Sequence, residues 1–182
     1  MFSRCTRRLG KGHSRAFPRA DTRGYCRVPL HYHNGLIQFA EDPLAQAEIA
    51  QPFWDVVKAP QWANVDRDIK EAIDRRDNNG RDPGGYAMRA LESTLKIISD
   101  LKGWTTGNEK GASGFIDNLQ SKRNGSFLSP WEADVLRKMF MEIRNPLVHG
   151  EGSAVPLHLT PQQTSWVIES CMSWIKSLVL RA

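Results

Sequence analysis

The chain has 182 residues, 40% of them apolar, with 25 Lys/Arg against 20 Asp/Glu. That is one domain plus some excess, with enough apolar side chains for a real core. No run approaches the about 18 apolar residues that argue for a membrane span, so a soluble, cytoplasmic protein is expected. The net charge of +5 is unevenly spread: residues 1–40 hold eight Lys/Arg and one Asp, whereas residues 41–182 hold 17 Lys/Arg and 19 Asp/Glu. The longer region is close to neutral, so any nucleic-acid affinity must come from local patches or from the tail, not from a basic domain.

Residues 1–40 read as a disordered basic tail. Arg4, Arg7, Arg8, Lys11, Arg15, Arg19, Arg23 and Arg27 are scattered among Gly, Ser and Pro with neither helical nor strand periodicity. An arm for RNA phosphates, a transit peptide, a plain disordered extension and a start placed too early all fit that composition. His31 and His33 offer two imidazoles but no third ligand nearby, so no metal site is assigned. Cys5, Cys26 and Cys171 are odd in number and far apart. They match no metal spacing and point to a reducing compartment.

Residues 41–182 read as a helical domain. A short helical signal around Pro43–Ala50 runs on through Phe53 and Trp54 until Pro60 stops it. Gln61–Arg76 follows, with Trp62, Val65, Ile69, Ala72 and Ile73 at helical spacing. Residues 77–85 are dense in turn formers and read as a loop. Tyr86–Leu101 carries one stripe, Ala87, Ala90, Leu91, Thr94, Leu95, Ile98 and Leu101, closed by Lys102-Gly103. Ala112–Lys122 is a shorter helix with Phe115, Ile116 and Leu119 inward.

Two further helices carry their own start signals. Ser129-Pro130-Trp131-Glu132 has a capping serine, proline at the first helical position and glutamate three after the cap. Its stripe of Trp131, Val135, Leu136, Met139, Phe140 and Ile143 leads directly to Arg144. Thr160-Pro161-Gln162-Gln163 repeats the arrangement, with Val167, Cys171, Trp174, Ile175 and Leu178 expected inward. No strand and no internal repeat is expected. The fold class is therefore all-α, a bundle of about five main helices.

The chemistry gathers where the first of these capped helices ends, at Ile143-Arg144-Asn145-Pro146-Leu147-Val148-His149-Gly150. Arginine is a permanent cation whose planar fork matches two phosphate oxygens. Histidine can take and give a proton near neutral pH. In an unbroken helix, residues five apart lie about 140° apart around the axis. Pro146 disfavours helical geometry at Asn145, so a turn is expected there that brings Arg144 and His149 toward one patch. The bland readings stand beside this one. An arginine near a helix C-terminus suits the helix dipole in any protein, and His149-Gly150 can be a capping turn.

Arg144-Asn145-x-x-x-His149 resembles the R-x4-6-H motif of the HEPN superfamily, helical domains often found as metal-independent ribonucleases. With Ala90–Ile98, Lys102-Gly103-Trp104 and His149-Gly150, the region from about Phe53 to Leu180 resembles the abortive-infection (Abi-like) C-terminal branch of that superfamily. The resemblance implies an HEPN-like bundle and a homodimer whose two motifs face one cleft. It implies RNA as substrate and an antitoxin or phage-sensing partner. It gives the catalytic roles to Arg144, Asn145 and His149, with no cofactor and no metal. Some HEPN toxins have tyrosine two positions after the histidine, the site of modification by an antitoxin. Here that residue is Glu151. A non-catalytic HEPN-like module that binds RNA or protein in a defence or toxin–antitoxin system is the alternative. Lys96, Lys102, Lys110, Lys122 and Arg123 are candidate phosphate contacts, and Trp104 and Trp131 candidate base-stacking residues. Scattered surface cations are more often simply solvated, and aromatics near capped helix ends more often pack in the core, so the bland reading of each comes first. Gly103, Gly107 and Gly111 lack the lysine and hydroxyl of a P-loop.

Overall fold

The computed structural model describes residues 30–33, 36–39, 44, 46–148 and 158–182. Two short strands, β1 (Leu30–His33) and β2 (Leu36–Phe39), pair antiparallel with His33 opposite Leu36 and Leu30 opposite Phe39. This hairpin lies inside the stretch read as tail and corrects the expectation of no strand. The signal was there to read. Asn34-Gly35 is the dipeptide best suited to a two-residue hairpin turn, flanked by β-formers. The remainder of the tail lies outside the described residues.

Among the described residues from 46 onward, all regular structure is helical, as the periodicity requires. A π-helical turn (Gln46–Ala50) leads into α1 (Gln51–Val56), and a 3-10 turn (Pro60–Trp62) into α2 (Ala63–Asp77). Then come α3 (Pro83–Leu101), α4 (Gly111–Gln120) and α5 (Pro130–Met139). A second π-helical turn (Phe140–Arg144) passes into α6 (Asn145–Val148), and α7 (Pro161–Arg181) ends the chain's helices.

The centre of the bundle is α3, which packs against α2, α4 and α7. Its stripe of Ala87, Ala90, Leu91, Thr94, Leu95 and Ile98 is wholly buried. Thr94 satisfies its hydroxyl on the Ala90 carbonyl at 3.0 Å. Leu101 is the exception, 62% exposed where the helix runs out of partners. α3 also starts three residues before the expected boundary. Pro83 occupies its first turn, and Gly84 and Gly85 are buried helical residues instead of loop. α2 contributes Val65, Ile69, Ala72 and Ile73 with Trp62 beside them, all buried as expected.

Both capping signals form. The Glu132 carboxylate accepts from the Ser129 backbone N–H and hydroxyl, each at 2.8 Å. Thr160 donates its N–H to Gln163 and accepts the Gln163 N–H on its hydroxyl. The inward stripe of α5 needs correcting at its start. Trp131 is 64% and Val135 41% exposed, while Leu136, Met139 and Phe140 are buried. Helical phase explains this: residues 132, 136, 139, 140 and 143 share one face, and Trp131 and Val135 fall at its border. Trp131 meets Trp174 of α7, itself half-buried, with ring centroids 6.3 Å apart. Cys171 is fully buried and faces the Met88 sulfur at 3.6 Å. Burial in this apolar site pushes its thiol up, so it is an inert core residue.

Candidate active site

Pro146 does not turn the chain. Asn145 holds helical angles (φ −63°, ψ −47°), and helix continues to Val148. The break takes another form, a single wide turn over Phe140–Arg144, with the Asn145 N–H donating to the Phe140 carbonyl five residues back. The reason lies in the proline. It has no N–H to give, and in a regular α-helix its ring strikes the carbonyl four residues earlier. Pairing at i−5 relieves that crowding while keeping the chain helical. The wide turn also rotates Arg144 relative to the residues before it.

So placed, Arg144 reaches α3. Its Nη2 donates to Glu92 Oε2 at 3.0 Å, and the two side chains retain only 21% and 13% of their exposure. Glu92 thus pins the guanidinium at the edge of the core. A guanidinium carries five N–H donors in a planar fork, and it can hold a carboxylate on one edge and an anion on another.

Arg144 and Asn145 line a cleft of about 420 Å³ between α4 and the end of α5. Ala112, Ile116, Phe140 and Met141 make its apolar walls, and Lys110, Ser113 and Arg137 its polar margin. Asn145 is exposed at this margin. Met141 is 55% exposed, whereas Phe140 is 6% exposed. Arg137 ties the two walls together. Its Nη2 donates to Asp117 at 2.6 Å and to Gln120 at 2.8 Å, both on α4.

The other wall is set by a loop. The Glu109 carboxylate accepts from the Thr106 N–H (2.7 Å), the Gly107 N–H (2.9 Å), the Thr106 hydroxyl (2.9 Å) and the Asn118 amide (2.8 Å). The Asn118 amide and then the Thr106 N–H hold this carboxyl down at about 2. Gly114 lets the loop lie this close, since a Cβ there would stand 2.9 Å from the Glu109 Cα. The loop delivers Lys110 to the cleft, where it makes no ion pair among the described residues.

Of the three predicted site residues, the structure brings Arg144 and Asn145 to one cleft, and His149 lies outside the described residues. Of the five candidate phosphate contacts, only Lys110 joins them. Lys96 lies over the Phe115 ring, and Lys102 reaches the Ala182 carbonyl. Trp104 is half-buried against Phe127, so it serves packing. Glu92 and Arg137 had no assigned part. Glu92 is separated from Arg144 by 52 residues, and no local pattern announces such a pair.

Among the described residues, no three His, Cys, Asp or Glu side chains are grouped to hold a metal ion. No described helix is long and apolar enough to cross a membrane. No known protein family, curated protein or solved structure matches this chain.

Proposed function

We propose that this chain is a metal-independent endoribonuclease of HEPN type, acting in abortive infection, with Arg144 and His149 from two protomers meeting at one RNA phosphodiester. The observation that carries the reading is the position of Arg144. A wide helical turn sets it on the edge of an open cleft, held there by Glu92 and beside Asn145. A cation fixed before substrate arrives is what stabilisation of a charged transition state requires.

In this reading the ribose 2′-hydroxyl attacks the adjacent phosphorus, and the bond to the 5′-oxygen of the next nucleotide breaks. One His149 takes the hydroxyl proton, and the partner protomer's His149 gives a proton to the leaving oxygen. Arg144 holds the phosphorane oxygens through paired donors. Asn145 orients the imidazole or holds a third oxygen. One histidine supplies one proton-transfer group where two are wanted, which is the chemical argument for a dimer.

The test is purified protein incubated with total RNA and a chelator, alongside Arg144→Ala and His149→Ala. Each substitution is expected to slow cleavage by about 10²–10⁴-fold, the usual weight of a general acid–base or charge-stabilising group. Equal cleavage by wild type and His149→Ala refutes the mechanism. The alternative, a non-catalytic module that binds RNA or a partner protein, draws on the near-neutral charge of residues 41–182 and on the carboxylate already paired with Arg144. It expects binding without cleavage.

A further inference from the structure

We infer that the cleft between α4 and the end of α5 is a binding site for a small amphipathic acid. The ligand class is an acyl or aryl carboxylate whose apolar body fills the interior and whose charge meets Lys110. The inference goes beyond the nuclease reading and does not depend on it.

The space sets the size of the ligand. At about 420 Å³ the cleft falls within the roughly 300–1,000 Å³ of small-molecule sites. Its floor is Ile116 and Phe140, which belong to the hydrophobic core and are 0% and 6% exposed. Ala112 and Met141 continue that surface outward, and Met141 stands 55% exposed at the lip. Apolar surface that opens to water at a concave site gains from any apolar body that covers it. Met141 is unbranched and polarizable, so it adapts to a straight chain or to a flat ring.

The charges set the head group. Lys110, Arg137 and Arg144 line the cleft, but both arginines are already engaged. Glu92 holds Arg144 at 3.0 Å, and Arg144 has a further partner besides. Asp117 and Gln120 hold Arg137 at 2.6 and 2.8 Å. Lys110 is different, since among the described residues its ammonium makes no ion pair. Its neighbour Glu109 does not pair with it, because that carboxylate is turned to the Thr106 and Gly107 N–H groups and to Asn118. On the same rim α4 begins at Gly111 with no side-chain cap, so the partial positive charge of its first turn adds to that of the lysine.

One uncommitted cation above an apolar floor matches one negative charge on an apolar body. A polyanion would need cations that Glu92 and Asp117 already hold. Ser113 and Asn145, both exposed at the margin, can donate to the second oxygen of a carboxylate.

The experiment titrates full-length protein with hexanoate, octanoate, decanoate and octanamide, each below its micelle threshold, and reads bound ligand by NMR. Each methylene that enters the cleft should tighten binding about fourfold, the weight of one buried methylene, with a plateau once the interior is full. Octanamide should bind about fivefold more weakly than octanoate, the upper weight of an exposed ion pair. Lys110→Met should remove that preference and keep the chain-length dependence. Lys96→Met, at a cation that lies over Phe115 outside the cleft, should keep both. Ser113→Trp, from an exposed position at the mouth, should remove the chain-length dependence with an unchanged melting temperature. Equal affinity for octanoate and octanamide overturns the inference. So does a preference that survives Lys110→Met, wild-type binding by Ser113→Trp, or displacement of octanoate by pyrophosphate. RNA cleavage plays no part in these readouts, so the result stands apart from the nuclease reading.

Discussion

Helices α5 and α7 begin alike and end differently. Each opens with a hydroxyl cap, a proline and a Glu or Gln that closes a reciprocal pair of hydrogen bonds. From there α7 runs as regular helix from Pro161 to Arg181 and buries Val167, Ile168, Cys171, Ile175 and Leu178 in the core. α5 stays regular only to Met139, then widens, and its last residues face a cleft. One proline separates the two fates. A helix that serves packing keeps one phase along its length. A helix that must present a side chain off its packing face needs a change of phase, and the wide turn supplies it.

The comparison can be broken most severely at Arg144. Arg144→Ala is expected to abolish most RNA cleavage, by about 10²–10⁴-fold, whereas Ser177→Ala on α7, remote from the cleft, should leave the rate intact. A gel assay with chelator present decides. Next in size is Ile175→Ala on α7. A fully buried side chain lost from a packed helix should cost about 2–5 kcal/mol in urea titration. The same assay on Met141→Ala, at the cleft, should show a change within about 0.5 kcal/mol.

Pro146→Ala tests the cause of the wide turn. With an N–H restored, the turn can close to regular α-helix, and a proline penalty of up to about 3 kcal/mol is relieved. Thermal stability should rise while cleavage falls, because Arg144 leaves Glu92. No change in either quantity would remove Pro146 as the cause. Smaller again are the caps. Ser129→Ala and Thr160→Ala should each cost about 1 kcal/mol, by near-equal amounts, since the two helices share their start.

The smallest effect is acid dependence in the loop that positions Lys110. The Glu109 carboxyl is held down at about 2, against 4.5 for an ordinary glutamate. Its folded-state value is the lower one, so its stabilising contribution is complete above pH 4.5 and fades as pH falls toward about 2. Glu109→Gln should flatten that part of the melting-temperature profile, with less change in the wild-type-like region above it.

What could be read from the chain divides along the same line. The stripes of α2, α3 and α4 and the caps of α5 and α7 follow from neighbours three and four residues apart, and, Leu101 apart, they stand where spacing put them. Trp131 was misread because a large apolar side chain at a helix start fits the border of a stripe as well as its middle. Its partner Trp174 is remote in sequence. At the cleft, residue types together with the motif's resemblance pointed to Arg144 and Asn145, but proline was read as a turn. The rule that proline breaks helices omits the option of widening them. Glu92 and the Glu109 loop could not be foreseen, because each acts across a tertiary contact. Asn34-Gly35 could have been.

A widened turn differs from an ordinary one by a single surplus residue. Phe140–Arg144 is therefore a place where the reading frame of the helix, and not its chemistry, sets which way the following side chains face. Excising one residue there would leave Ser129 to Met139 undisturbed while swinging all that follows by roughly a quarter turn. A loss of that kind, taken from Met141 or Glu142, would move the Arg144 guanidinium off Glu92 and away from the cleft while the chemistry of every other side chain stayed the same.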